Sequence, residues 1–154
     1  MVFTGTLEIK PRQGLSQLRF GVTMIEAEKY FGKPEAVEHI DDIKEYKSIV
    51  WHYWKYGFSL FFDDRFRNTF SCVEIDEGDA LLWGQPIFKM NEKKIIKLFK
   101  EKNFTEIDAE EHEWGEKRVS FDDAIVDLYF EKGNLKSVNF CPPHNIENVL
   151  MFPN

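Results

Sequence analysis

The sequence predicts an α+β protein of two tandem repeats, each a helical segment followed by an antiparallel three- to four-stranded meander. The first observation is an internal echo, because the aromatic segment 51–64 returns 68 residues later as 119–132, with Leu60 matching Leu128. The second is a helix-capping signal upstream of each copy. The third is that the order of cap, helix, loop and three strands recurs at a nearly constant offset, which is typical of a duplicated unit.

These repeats define the predicted organisation of the chain. The first α+β repeat is expected at residues 1–79 and the second at 80–143, with a C-terminal tail at 144–154. Because 154 residues suit one ordinary domain, we expect the two repeats to share one compact unit.

Two helices are predicted from local signals at their ends. Thr23 followed by Glu26 forms a capping box, and Gly32 with Pro34 stops the first helix. Asn91 caps the second helix, which is expected over Glu92–Lys102 with an apolar stripe on one face and lysines on the other.

Alternation of apolar and polar residues predicts three strands after each helix. The strands fall near 48–53, 58–62 and 69–75 in the first repeat. In the second repeat they fall near 119–121, 126–130 and 135–140. The polar segment Glu35–Lys47 is expected to be a loop or a frayed edge segment, and Phe104–Gly115 is expected to be an acidic loop.

Composition limits the class of function. Hydrophobic residues make up 43% of the chain and aromatic residues 16%, which is ample for a folded core. The net charge of −7 argues against nucleic acid or an anionic membrane as partner, because both favour clustered Lys and Arg. An acidic surface remains compatible with a basic protein partner.

Cys72 and Cys141 follow no metal-binding or redox spacing. We expect two buried free thiols in a cytoplasmic protein, with a single disulfide as the alternative if the two strand ends are neighbours. The first ten residues show no basic region followed by an apolar run, so no signal peptide is expected. No stretch reaches the roughly 20 apolar residues of a membrane span.

One short pattern resembles a known family. Phe20-Gly-Val-Thr23, a short helix, Gly32-Lys-Pro34 and a hairpin rich in Trp and Tyr are similar to the β-lactamase inhibitory proteins and the small outer-membrane assembly lipoproteins. The resemblance implies a helical unit followed by an antiparallel sheet, which the inhibitory proteins carry twice in tandem. It also implies protein binding through an exposed sheet face.

Strand parity separates two faces of the predicted sheet. Helices should cover the face that carries Tyr53, Phe58, Leu60, Phe62, Val126, Leu128 and Phe130. The other face carries Ser120 and the candidate partner-binding residues His52, Ser59, Phe61, Glu74, Asp127, Tyr129 and Asn139. Two aromatics among polar groups suit a protein-binding face. The alternative is that the repeats or the tail cover it.

The chemical motifs favour a binding protein over an enzyme. The four His residues are scattered, the acidic run 108–116 lacks metal-ligand spacing, and no glycine-rich loop cradles phosphate. We therefore predict no catalytic residue, metal or cofactor, and expect a non-enzymatic protein-binding module. The resemblance, the acidic charge balance and the aromatic and polar sheet face together imply an immunity or inhibitor protein as its more specific form. The alternatives are a small-molecule-binding domain or enzyme with a cleft between the repeats, and a homodimeric structural protein. Trp54, Trp83 and Trp114 are expected to close the ends of the core, with a role as contact anchors for a partner as the alternative.

Overall fold

The computed structural model describes residues 2–41, 47–76, 78–113 and 115–143. Strands make up 44% of these residues, in two sheets, together with two α-helices. The strands are β1 Glu8–Lys10, β2 Gly14–Leu15, β3 Leu18–Arg19, β4 Ala36–Ile40, β5 Ser48–Tyr53, β6 Phe58–Asp63, β7 Thr69–Ile75, β8 Leu81–Leu82, β9 Gln85–Pro86, β10 Ile107–Glu111, β11 Glu116–Phe121, β12 Val126–Glu131 and β13 Asn134–Phe140. The helices are α1 Met24–Phe31 and α2 Glu92–Glu101.

The large sheet is antiparallel throughout and has eight strands in the order β10-β11-β12-β13-β7-β6-β5-β4. Neighbouring strands share five or six paired residues, except at the seam between β7 and β13. There only three residue pairs are in register, from Val138 opposite Ile75 to Phe140 opposite Val73. The seam is therefore the shortest pairing between long strands.

The predicted fold class is wrong. Instead of two helix-plus-meander repeats, the described chain is mostly β, with one continuous eight-stranded sheet and a second sheet of five strands. The edge strand β4 lies in the segment expected to be a loop or a frayed edge segment, and the edge strand β10 lies in the segment expected to be an acidic loop. The side chains of β4 and β10 are largely exposed, and each strand is paired through its backbone on one side only. Because their side chains do not alternate between buried and exposed positions, the sequence shows no strand signal there.

The small sheet has the order β3-β2-β1-β8-β9, and its strands are two or three residues long. β1 and β8 pair in parallel, which joins Glu8 to Leu81 across more than seventy residues of chain. Such a contact is non-local and leaves no periodic signal in the sequence. Nearby, Phe20 packs its ring against Phe70 at 4.9 Å and Phe140 at 6.1 Å between ring centroids.

The helix ends are confirmed. The Thr23 side chain accepts a hydrogen bond from the Glu26 backbone N–H, and Gly32 ends α1 with φ 85°. The Asn91 side chain likewise accepts from the Lys94 backbone N–H at 2.9 Å. Both helices and both sheets contribute to one cluster of buried apolar residues. Neither helix of the described chain has the length and apolarity needed to cross a bilayer.

Cys72 and Cys141 form a disulfide, so the predicted free thiols are wrong. The seam register places these residues opposite each other, with 4.4 Å between their Cα atoms. Disulfides persist in oxidising compartments, so the bond argues against the predicted cytoplasmic location. The boundaries 1–79 and 80–143 stay a prediction, and the tail 144–154 lies outside the described residues.

Candidate binding face of the large sheet

The two faces of the large sheet differ in burial. The apolar residues predicted to face the helices, from Tyr53 to Phe130, are at most 3% exposed. The Phe31 ring of α1 packs on Phe58 at 4.9 Å, and the Phe99 ring of α2 stacks on Phe121 at 4.3 Å. The predicted helix-covered face is thus confirmed. We call the opposite side of the sheet the outer face.

A single row of cross-strand neighbours crosses the outer face, and we call it the central row. Residues directly opposite each other in antiparallel strands point to the same face. From edge to edge the row runs Ala36, His52, Ser59, Glu74, Asn139, Asp127, Ser120 and Asp108. It contains three carboxylates and neither lysine nor arginine.

The structure brings the sequence-predicted site residues together. His52, Ser59, Glu74, Asn139 and Asp127 are successive members of the central row. All are partly exposed, as are Phe61 and Tyr129, the two remaining predicted residues.

Phe61 and Tyr129 flank the central row on opposite sides. Phe61 lies opposite Cys72, and Tyr129 lies opposite Ser137. The strand register shifts immediately after each aromatic, at Phe61/Phe62 and at Tyr129/Phe130. Bulges of this kind re-aim side chains and are enriched next to functional sites.

One end of the row is a closed hydrogen-bond network around His52. Its Nδ1 lies 2.7 Å from Ser59 Oγ, and its Nε2 lies 2.9 Å from Glu38 Oε1. The roles of the two ring nitrogens depend on the tautomer; with a proton on Nε2 and none on Nδ1, Nε2–H donates to Glu38 while Nδ1 accepts from the Ser59 hydroxyl. The imidazole also stacks on the Trp54 ring, with 5.6 Å between centroids.

The other end is closed by Arg118. Its guanidinium donates to Asp108 Oδ2 at 3.0 Å and Glu110 Oε2 at 3.3 Å, and also to Ser120 Oγ. Ser120 in turn donates to Asp127 Oδ1. These charge-assisted hydrogen bonds raise the pKa of Arg118 and fix the carboxylates at this end of the row.

The Glu38–His52–Ser59 chain has the donor and acceptor order of a hydrolase relay. Acyl transfer, however, needs hydrogen-bond donors aimed at a developing negative charge. Here the Glu74 carboxylate lies opposite Ser59, so the local charge favours a cation rather than an oxyanion. In the described ranges, no group of three or more His, Cys, Asp or Glu side chains could hold a metal ion.

Glu74 occupies the middle of the row with an unusual electrostatic environment. Partial burial raises the pKa of its carboxyl above the usual range, and the nearby Asp76 charge raises it further, whereas His52 lowers it. Ionisation of Glu74 is therefore less favourable in the folded protein than in the unfolded chain.

Replacing Glu74 by Gln is expected to raise the thermal midpoint at about pH 7, because it removes a half-buried charge at nearly constant shape. The raised pKa means that the ionised carboxylate opposes folding above the folded-state pKa. This penalty vanishes at about pH 3.5, where the group is protonated in both states. Scanning calorimetry at both pH values measures the difference. Glu106→Gln, at an exposed carboxylate, serves as control, and a lowered midpoint for Glu74→Gln at about pH 7 would contradict the expectation.

Trp54 is a site residue that the sequence prediction missed. It is 60% exposed beside His52, so its expected role in closing the core is wrong. Trp83 does pack against the core, 5.1 Å from the Phe99 ring, whereas Trp114 lies outside the described residues. Trp54 directly follows β5 in a short 3-10 turn that has no buried residue, so its ring lies outside the core.

Glu38 and Arg118 also belong to the outer face and were not predicted. Glu38 lies in the segment expected to be a loop or a frayed edge segment, whose pairing with β5 the sequence does not specify. Arg118 precedes Ser120 by two residues, and the same alternation that identified Ser120 could have found it.

The described chain also contains a recess of about 530 Å³, lined by the small sheet together with Trp83 and Phe104. The alternative of a ligand cleft between the repeats stays a prediction. The chain matches no protein-family model, no curated protein and no solved structure.

Proposed function

We propose that this protein is a non-enzymatic binding protein that engages a basic protein partner through the outer face of its large sheet. The observation that carries the proposal is the central row, a continuous series of polar side chains across seven of the eight strands, flanked by partly exposed aromatics. The opposite face is already covered by the helices and the core, which leaves the outer face to meet a partner.

Charge and aromatic content favour the same type of partner. The central row carries Glu74, Asp127 and Asp108, and the whole chain has a net charge of −7. Complementary charge speeds association and excludes wrong partners. Trp54, Phe61 and Tyr129 are the residue types that supply most of the binding energy in protein interfaces.

A blocking role is the more specific form of this proposal. The similarity of the segment Phe20–Pro34 to the inhibitory proteins supports an immunity or inhibitor protein whose sheet face covers a toxin or an enzyme. The Cys72–Cys141 disulfide supports action in an oxidising compartment.

Alanine substitution of the exposed aromatics is expected to abolish capture of the partner. The wild-type protein, the Phe61→Ala/Tyr129→Ala double variant and Trp54→Ala are immobilised and exposed to extract of the source organism. Loss of an interface aromatic costs more than about 2 kcal/mol at a hot spot, so affinity should fall roughly 30-fold or more. Quantitative mass spectrometry of the retained proteins measures this loss.

Ile25→Ala is the matched control, because Ile25 is 69% exposed on α1 and contributes nothing to the outer face. A stoichiometric basic protein that Ile25→Ala retains and both face variants lose supports the proposal. Equal retention by all variants would overturn it. A dimeric mass for the purified protein that the face variants convert to a monomer would identify a second copy as the occupant instead.

A further inference from the structure

The two middle residues of the central row, Glu74 and Asn139, lie between the hydrogen-bond networks at its two ends. Glu38, His52 and Ser59 satisfy one another at one end, and Arg118 satisfies the carboxylates at the other. Between them Glu74 lies opposite Asn139 across the seam. Within the described ranges, neither of these two side chains has a hydrogen-bond or ion-pair partner. We call Glu74 and Asn139 the open pair, which lies at the centre of the outer face.

The chemistry of the open pair specifies what would fill it. Glu74 offers only acceptor oxygens when ionised, and Asn139 adds an amide oxygen beside them. Glu74 is also half-buried, so leaving its charge unpaired is unfavourable. A cation with several coplanar N–H donors can satisfy the carboxylate in a bidentate manner and reach the amide oxygen. A guanidinium has this geometry, whereas an ammonium is a point charge.

The surroundings of the pair suit a guanidinium as well. Phe61 is the diagonal neighbour of Glu74, because it lies two residues from Ser59 on β6. Tyr129 is in the same way the diagonal neighbour of Asn139. Diagonal neighbours lie about 7–8 Å apart, within reach of an aromatic side chain. Arginine stacks on aromatic faces in addition to pairing with carboxylates.

We propose that Glu74 and Asn139 form the anchoring point for an arginine side chain of the partner, with Phe61 and Tyr129 on either side of the guanidinium. The proposal rests on the proposed function, because the arginine belongs to the protein that the outer face binds. It commits to one occupant, a basic protein surface that projects an arginine into the seam.

The test uses N-acetyl-arginine amide as probe, titrated into the full-length, ¹⁵N-labelled protein. Saturable shifts of the Glu74 and Asn139 backbone amides are expected, with a dissociation constant on the order of 1 mM. The citrulline analogue, which has the same shape without the charge, should bind at least 5-fold more weakly. Glu74→Gln should lose the response to a similar extent. Glu28→Gln should keep it, because that exposed carboxylate lies on α1, which packs against the opposite face of the sheet.

Equal shifts with the citrulline analogue, an unchanged response in Glu74→Gln, or shifts spread evenly over the acidic surface would each overturn the arginine site. Capture of the partner by Glu74→Gln separates the two proposals. If Trp54→Ala loses the partner while Glu74→Gln retains it at full affinity, the binding face stands and the arginine anchor is wrong. If the probe binds at Glu74 but no face variant loses a partner, the proposed function is wrong and the guanidinium site stands.

Discussion

Replacing Phe99 by Ala is expected to lower the free energy of unfolding by about 3–5 kcal/mol. Phe99 is fully buried on α2, where its ring stacks on Phe121 at 4.3 Å and meets the Trp83 ring edge-on at 5.1 Å. Truncation therefore removes the Phe99 ring contacts between α2 and the sheet and leaves a cavity, while Ile95 of α2 stays buried. Since a domain of this size is stable by only about 5–15 kcal/mol, the loss is a large share of the total.

Urea unfolding followed by tryptophan fluorescence and circular dichroism measures this change. Phe104→Ala is the matched control, because Phe104 is only partly buried and stacks on the outer side of Trp83 at 5.8 Å. We expect the control to lose less than half as much stability. A loss below about 1 kcal/mol for Phe99→Ala would show that α2 does not pack on the sheet as described.

Removing the disulfide is expected to lower the free energy of unfolding by about 2–4 kcal/mol. Cys72 and Cys141 are 69 residues apart in sequence, so their bond restricts a long loop of the unfolded chain. The bond also lies at the seam, where only three residue pairs hold the two halves of the large sheet together. It therefore reinforces the shortest strand pairing of the sheet.

The Cys72→Ser/Cys141→Ser double variant and the wild type are compared by denaturant unfolding, with and without dithiothreitol. The reductant should destabilise the wild type to about the level of the double variant and leave the double variant unchanged. Two free thiols in the mass of the alkylated, unreduced protein would contradict the disulfide.

The same bond connects stability to the proposed site. Cys72 and Cys141 lie two residues from Glu74 and Asn139 along their strands, on the same face. The β7–β13 register that forms the disulfide therefore also places Glu74 opposite Asn139 in the open pair. The Cys72→Ser/Cys141→Ser variant should therefore bind N-acetyl-arginine amide more weakly, because the pairing of β7 with β13 is weakened.

The sequence by itself determined what depends on residues close along the chain. The capping side chains Thr23 and Asn91 marked both helices, because a cap acts on an N–H three residues away. Alternation identified the buried strands and separated their two faces, since side chains in a strand alternate with period two. On that basis the members of the outer face were predicted to lie together, as the structure shows for His52 to Asp127.

The tertiary structure alone decided what depends on pairing between distant segments. The fold class was predicted wrongly because some strands carry no periodic signal in the sequence. Exposed edge strands such as β10 and two-residue strands such as β8 form through backbone pairing with other strands, and not through an alternation of buried side chains. The disulfide and the Glu74–Asn139 pair both require the β7–β13 register, which joins segments more than sixty residues apart. Whether Trp54 closes the core or faces solvent likewise depends on where the turn after β5 leaves the sheet, and only the assembled fold determines that position.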